Sequence, residues 1–155
     1  MLRVTPDTQV LIQAAISHKG AAGQILAAWA AGEVEILTCD QILAEYRETL
    51  RSPHIRDRYA HVTGAAIAAA AAALREYSTI VTVADIPQVV REDPDDDGVL
   101  ACAVAGGADY VISRDHHLRQ LGVYQGIPIV TAESFLPILR GRVREERAVF
   151  SGAAP

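Results

Sequence analysis

The sequence predicts an α/β protein in which helices cover both faces of a central, mostly parallel sheet. Short apolar or β-branched segments alternate along the chain with longer segments of helical pattern, as is typical of parallel sheets. The chain has 155 residues, the length of one ordinary domain. Neither an internal repeat nor a second domain is visible. We therefore expect a single three-layer α/β/α domain.

Five segments are predicted to be strands because they are short, apolar and bounded by turn residues. The first ends directly before Pro6, whose ring disfavours helix in the preceding residue. The predicted strands are Leu2–Thr5, Glu33–Leu37, Thr79–Val83, Asp109–Ser113 and Ile127–Val130. The chain between them has room for the helices that join parallel strands.

The segments between the strands carry helical patterns. Thr38 and Gln41 have the spacing of a capping box, and the helix after them places its apolar residues on one face. A run of alanines gives another segment strong helix propensity. The predicted helices are Val10–Ile16, Gln24–Ala31, Asp40–Leu50, Gly64–Tyr77, an acidic-start helix before Gly106, and a last helix from Thr131 to about Leu139.

The domain is predicted to cover residues 1–140, with a flexible or partner-dependent tail at 141–155 that is rich in arginine and glutamate. The net charge of −5 argues against a basic nucleic-acid coat but not against an enzyme that acts on nucleic acid. Cys39 and Cys102 lie far apart among apolar neighbours, without zinc or disulfide spacing. With neither a membrane-spanning run nor a secretory signal, we expect a cytoplasmic protein with reduced thiols.

Two acids follow predicted strands. Asp7 comes after the first strand and Asp115 after the fourth. Because parallel strands end at the same edge of a sheet, we expect both carboxylates at one edge, where α/β proteins bind ligands. Asp7 alone has a simpler interpretation as a helix N-cap, for which Asp is a preferred residue.

More acids stand at other helices. Asp93, Asp95, Asp96 and Asp97 open the helix before Gly106, and Glu45 lies beside an apolar helix stripe, where a solvated surface is the simpler interpretation. Converging carboxylates repel one another unless a cation lies between them, and Mg²⁺ or Mn²⁺ prefers such oxygen ligands. Such an ion activates water for phosphodiester hydrolysis. The chain shows no nucleophile elbow, Cys/His pair or phosphate-binding glycine loop.

These motifs resemble those of a known family. The segments VTPDTQVLI, LAEYRETL, DPDDDGVLACA and ADYVISRD followed by HHL are similar to those of the PIN-domain nucleases, in the VapC-like group of toxins from toxin–antitoxin pairs. The resemblance covers roughly residues 1–140, and its last two motifs are the specific ones. It implies a Mg²⁺- or Mn²⁺-dependent endoribonuclease of PIN-like fold, neutralised by a small antitoxin and forming a homodimer.

The resemblance also implies which residues form the site. The four family acids fall on Asp7, Glu45, Asp96 and Asp115, as metal ligands and catalytic residues. Asp93 and Asp97 are the alternatives for the third acid. Ser113 stands where the family often has a hydroxyl residue near the acids.

Other residues lead to further interpretations. The family usually has Asn where this chain has Gln9, and Pro6 before the first acid is also unusual; both favour the alternative of a PIN-like module that binds RNA or protein with little or no cleavage. A phosphatase acting on small phosphoesters is a third candidate. Each basic residue has a simpler interpretation as solvated surface, but Arg47, Arg51, Arg56 and Arg58 together are candidates to flank an RNA path, with Arg114 nearer the metal. His116 and His117 are interpreted as surface groups or groups that support the metal ligands.

Overall fold

A computed structural model describes residues 1–85 and 94–152 of the chain. In this part of the chain the central sheet has six strands, in the order β3-β2-β1-β4-β6-β5. Neighbouring strands are parallel except for β5 and β6, which form an antiparallel hairpin. The strands are β1 (Leu2–Pro6), β2 (Val34–Thr38), β3 (Thr79–Ile80), β4 (Tyr110–Ile112), β5 (Val123–Tyr124) and β6 (Ile127–Val130).

Helices connect the strands. They are α1 (Thr8–Ile16), α2 (Ala21–Ala30), α3 (Asp40–Arg51), α4 (Pro53–Arg58), α5 (Gly64–Tyr77), α6 (Pro94–Gly106), α7 (His116–Leu121) and α8 (Ala132–Phe150). None of the helices in the described ranges is long and apolar enough to cross a membrane.

The sheet has a buried apolar layer on each face. Adjacent residues of one strand face opposite sides, so Ile36 and Ile112 join one layer while Leu37 and Val111 join the other. The first layer is completed mainly by α1, α2 and α8, and the second mainly by α3, α5 and α6. The predicted three-layer α/β/α architecture with a mostly parallel sheet is confirmed.

The sheet order reverses at β1. The chain goes from β1 to β2 and β3 on one side, and then returns to place β4 on the other side of β1. Ligands of open α/β sheets bind in the crevice outside the carboxyl ends of the strands at such a reversal. Pro6 pairs with Ile112 in the β1–β4 register, so Asp7 and Ser113 leave the sheet side by side.

Three details of the secondary structure differ from the prediction. The capping-box interpretation of Thr38 fails because Thr38 ends β2, where it pairs with Ile80 and its carbonyl accepts a hydrogen bond from Val81 at 2.7 Å. Cys39 is the residue that precedes α3, and its side chain makes no capping hydrogen bond. The predicted strand at 79–83 is only Thr79–Ile80, and the antiparallel strand β5 was not predicted.

The last helix extends further than predicted. We expected an end near Leu139, but α8 continues to Phe150. The extra turns contact the body of the domain: Arg147 lies 2.6 Å from Glu33, and Glu146 lies 2.9 Å from the amino group of Met1. Such partners, distant in sequence, leave no local signal. The mobility of the tail and its dependence on a partner stay predictions.

Candidate active site

Asp7 is fixed at the point where β1 becomes α1. Its backbone N–H donates to the Ile112 carbonyl at 2.9 Å, and its Oδ1 accepts from the Val10 N–H at 2.8 Å, which caps α1. The side chain is only 4% exposed. The cap interpretation is therefore correct, and the capping residue also lies in the crevice between β1 and β4.

Ser113 connects Asp7 to Asp115. Its fully buried hydroxyl donates to Asp7 Oδ2 and accepts from the Asp115 N–H, the latter at 3.0 Å. Asp115 in turn caps α7, because its Oδ1 accepts from the His117 N–H at 2.8 Å. The two acids that follow the strands thus lie within one hydrogen-bonded chain at one edge of the sheet.

Glu45 approaches the same edge from α3. Its Oε2 accepts from the Thr8 hydroxyl at 2.8 Å, which fixes the half-buried carboxylate beside the start of α1. Asp96 approaches from α6 and is 7% exposed. A Cβ at Gly98 would lie 2.5–2.8 Å from side-chain atoms of Gln41, so the glycine lets α6 pack closely against α3.

The four predicted acids line one cavity, here called the acidic cavity. Its volume is about 320 Å³. Its lining consists of Asp7, Thr8, Gln9, Glu45, Asp96, Val99 and Asp115. The acids come from four separate segments of the chain. Thr8 was missed by the sequence analysis, because its role depends on the Glu45 side chain 37 residues away.

Burial raises the pKa of the Asp7 carboxyl above its ordinary value, since loss of water disfavours the charged form. The hydrogen bond from Ser113 opposes this effect, and the negative charge of Asp115 adds to it. A buried carboxylate that faces a second one is stabilised by a cation.

The carboxylate oxygens that line the acidic cavity are the kind of donor that Mg²⁺ and Mn²⁺ prefer. In the described ranges, no three side chains of His, Cys, Asp or Glu lie close enough to hold one ion as they stand. Mg²⁺ usually keeps several waters and binds only one or two carboxylates directly, so it does not need such a cluster. The lining residues therefore fit a hydrated divalent ion.

Of the other candidate residues that the structure describes, Asp97, His116 and His117 do not line the acidic cavity. Asp97 is buried but does not line it, and Asp93 lies outside the described residues. The rings of His116 and His117 pack against each other with centroids 4.2 Å apart. Their predicted roles, like those of the four acids, stay predictions.

Among the candidate arginines, only Arg47 and Arg51 line the same groove. Arg47 and Arg51 line a groove between α3 and α5, to which Arg56 and Arg58 do not contribute. Arg114 lies 3.4 Å from Glu133 at the start of α8. The structure thus groups only two of the five arginines.

Comparison with known proteins decides the family. A family model described as PIN domain matches residues 3–117, more than half of the chain. The chain belongs to the PIN-domain family. PIN domains are generally nucleases, which are hydrolases, so nuclease-type activity is the family expectation for this PIN domain. A search of the curated proteins found no match.

Proposed function

We propose that this PIN domain is a Mg²⁺- or Mn²⁺-dependent endoribonuclease in which Asp7, Glu45, Asp96 and Asp115 hold the ion, some of them through its bound waters. The observation that carries the proposal is the acidic cavity, where four acids from separate segments meet beside the carboxyl ends of β1 and β4. Burial of like charges without a counter-ion costs free energy, and a divalent cation removes that cost.

The residues around the acids support this role. Ser113 orients Asp7, and Thr8 orients Glu45, so both carboxylates are held before substrate arrives. When bound, a divalent ion supplies a water of lowered pKa and neutralises charge on the scissile phosphate. The side chain of Asp115 is partly exposed and is held in place by the α7 backbone, so it is fixed at the mouth of the site before an ion binds.

The substrate and partner follow from the resemblance to the VapC-like group. That resemblance supports RNA as the substrate, a small antitoxin as the inhibitor, a homodimeric assembly and action in the cytoplasm. A second candidate function is a PIN-like module that binds RNA with little or no cleavage. Gln9 favours it, because its longer side chain lines the acidic cavity where the family usually has Asn.

A cleavage assay on mixed single-stranded RNAs tests the proposal. The wild type should cleave with Mg²⁺ or Mn²⁺ and not with EDTA. Asp7→Asn and Asp115→Asn should each reduce the rate by at least about a hundredfold, because each removes a charged ligand of the ion. Glu33→Gln is the matched control, since it removes an acid far from the acidic cavity.

Two results would contradict the proposal. If the Asp7→Asn/Asp115→Asn protein cleaves as fast as wild type with metal, the site is wrong. If the wild type retains RNA in a binding assay but cleaves none with either metal, the non-cleaving module is the correct function.

A further inference from the structure

A second charged surface lies on the other side of α3. The groove between α3 and α5 has a volume of about 310 Å³ and is here called the arginine groove. Arg47 and Arg51 from α3 and Arg75 from α5 form its rim. Its floor includes Leu43, Ile67 and Ala71, and no acidic side chain of the described residues lines it.

The rim is suited to anions. Arg47 and Arg51 are four residues apart, so they lie on the same face of α3, and both are exposed. Arg75 lines the groove from α5 and lies 2.8 Å from Asp40 at the start of α3. Neither Arg47 nor Arg51 forms an ion pair within the described ranges. Two neighbouring guanidinium groups without a counter-charge form a site that attracts phosphate.

The arginine groove and the acidic cavity flank the same helix. Glu45 is two residues from Leu43 and two from Arg47, which places it on roughly the opposite side of α3. A helix with its side chains is about 10–12 Å wide. An extended polynucleotide that crosses α3 therefore has phosphates in the groove a few nucleotides from the acidic cavity.

We propose that the arginine groove binds the phosphate backbone of single-stranded RNA and leads the strand to the acidic cavity. This inference rests on the proposed function. One guanidinium group can donate two parallel hydrogen bonds to the oxygens of a phosphate. The short alanine side chains of α5 leave room for the sugar. No aromatic side chain of the described residues lines the groove, so bases have no stacking platform there. Binding is therefore nearly independent of sequence.

The test measures binding separately from cleavage. Fluorescence anisotropy with a labelled single-stranded RNA of mixed sequence, in EDTA, compares wild type with Arg47→Ala/Arg51→Ala. The variant should bind at least about tenfold more weakly, because two charge-assisted contacts are lost. The plot of log affinity against log salt concentration should become less steep by about 1.4. This is the sum of two phosphate contacts, each of which contributes roughly 0.7 on a single strand.

A charge-matched control distinguishes the effect of the groove on RNA affinity from the effect of the protein's net charge. Arg142→Ala/Arg144→Ala removes the same charge from α8 and should change affinity by about twofold at most. All four arginines are exposed, so both variants should fold, as thermal melts will verify. With Mn²⁺ present, Arg47→Ala/Arg51→Ala should raise KM for RNA and leave kcat nearly unchanged.

Several outcomes would overturn the inference. Equal losses in both double variants would indicate a net-charge effect. A changed sedimentation mass of Arg47→Ala/Arg51→Ala with unaltered RNA affinity would make the groove a contact between copies of the chain. If the wild type cleaves RNA and this variant binds and cleaves equally well, only the groove inference fails. If the wild type neither binds nor cleaves RNA, the proposed function fails with it.

Discussion

The acidic cavity and the groove between α2 and α8 both hold charged side chains, but they hold them differently. The α2–α8 groove has a volume of about 460 Å³, larger than the roughly 320 Å³ of the acidic cavity. Its arginines reach neighbouring polar groups: Arg140 lies 2.7 Å from Gln24, and Arg147 lies 2.6 Å from Glu33. The Arg147 side chain remains 75% exposed.

The acidic cavity gathers charges of one sign and removes two of them from water. Asp7 is 4% exposed and Asp96 is 7% exposed. An exposed arginine is stabilised by water and costs little, whereas buried like charges cost free energy that the fold must offset. The volume of a cavity is therefore a weaker guide to function than the free-energy cost of burying the charges that line it.

The first prediction concerns the cation that this cost implies. At Mn²⁺ concentrations about a hundred times the dissociation constant, binding should stabilise the wild type by about 2.7 kcal/mol. For a chain of this length that raises Tm by roughly 5–10 °C. Asp7→Asn should lose most of the shift, because a neutral amide is a poor ligand. Thermal melts with and without Mn²⁺ measure both.

Glu33→Gln serves as the control for the metal effect. It removes an acid from the α2–α8 groove and should keep the full Mn²⁺ shift. Equal shifts in wild type and Asp7→Asn would mean that the metal binds elsewhere, and the contrast between the two cavities would then have no functional meaning.

The second prediction concerns the protein without metal. The pKa of Asp7 is raised in the folded state above the ordinary value of 3.8. Above pH 3.8 the folded state therefore binds more protons at Asp7 than the unfolded state does. The free energy of unfolding then falls as the pH rises from 3.8 to the raised pKa. Asp7→Asn lacks this loss and keeps a good helix cap. In EDTA at pH 7 it should be more stable than wild type by about 1 kcal/mol.

Thermal melts in EDTA from pH 4 to pH 8 check the sign. The advantage of Asp7→Asn should shrink as pH falls toward 4. Asp7→Ala is the control, because it removes the charge and the cap together and should be about 1 kcal/mol less stable than Asp7→Asn. An advantage that does not vary with pH would contradict burial of the charged carboxylate.

The proximity of Asp7 and Asp115 could be predicted because it follows from chain connectivity. Acids that follow parallel strands meet at one edge, whatever the details of packing. Helix α5 spans Gly64–Tyr77 as predicted, because its alanines favour helix and Thr63 caps it locally. Features that depend on local sequence or on chain topology could therefore be predicted without a structure.

Other features depend on contacts between distant residues. Only the family resemblance pointed to Glu45 and selected Asp96 from the acidic run, because the rotation of α3 and α6 depends on contacts such as that of Gly98 with Gln41. Thr38 has a residue type and spacing suited to a cap, yet pairing with β3 keeps it in β2. The extra turns of α8 contact partners that are distant in sequence, such as Glu33, 114 residues before Arg147, and these leave no signal in the local sequence.

The third prediction has the smallest expected effect and concerns the exposed ion pair of the α2–α8 groove. A double-mutant cycle of Glu33→Gln and Arg147→Ala should give a coupling energy below about 1 kcal/mol, because water solvates both partners when they separate. The coupling should fall further at 0.5 M salt, where exposed charges are screened. RNA cleavage should not change in any member of the cycle. A coupling above about 2 kcal/mol, measured from thermal melts, would mean that this pair behaves as a buried one. The α2–α8 groove would then hold its charges as tightly as the acidic cavity does, and exposure alone could not distinguish the two.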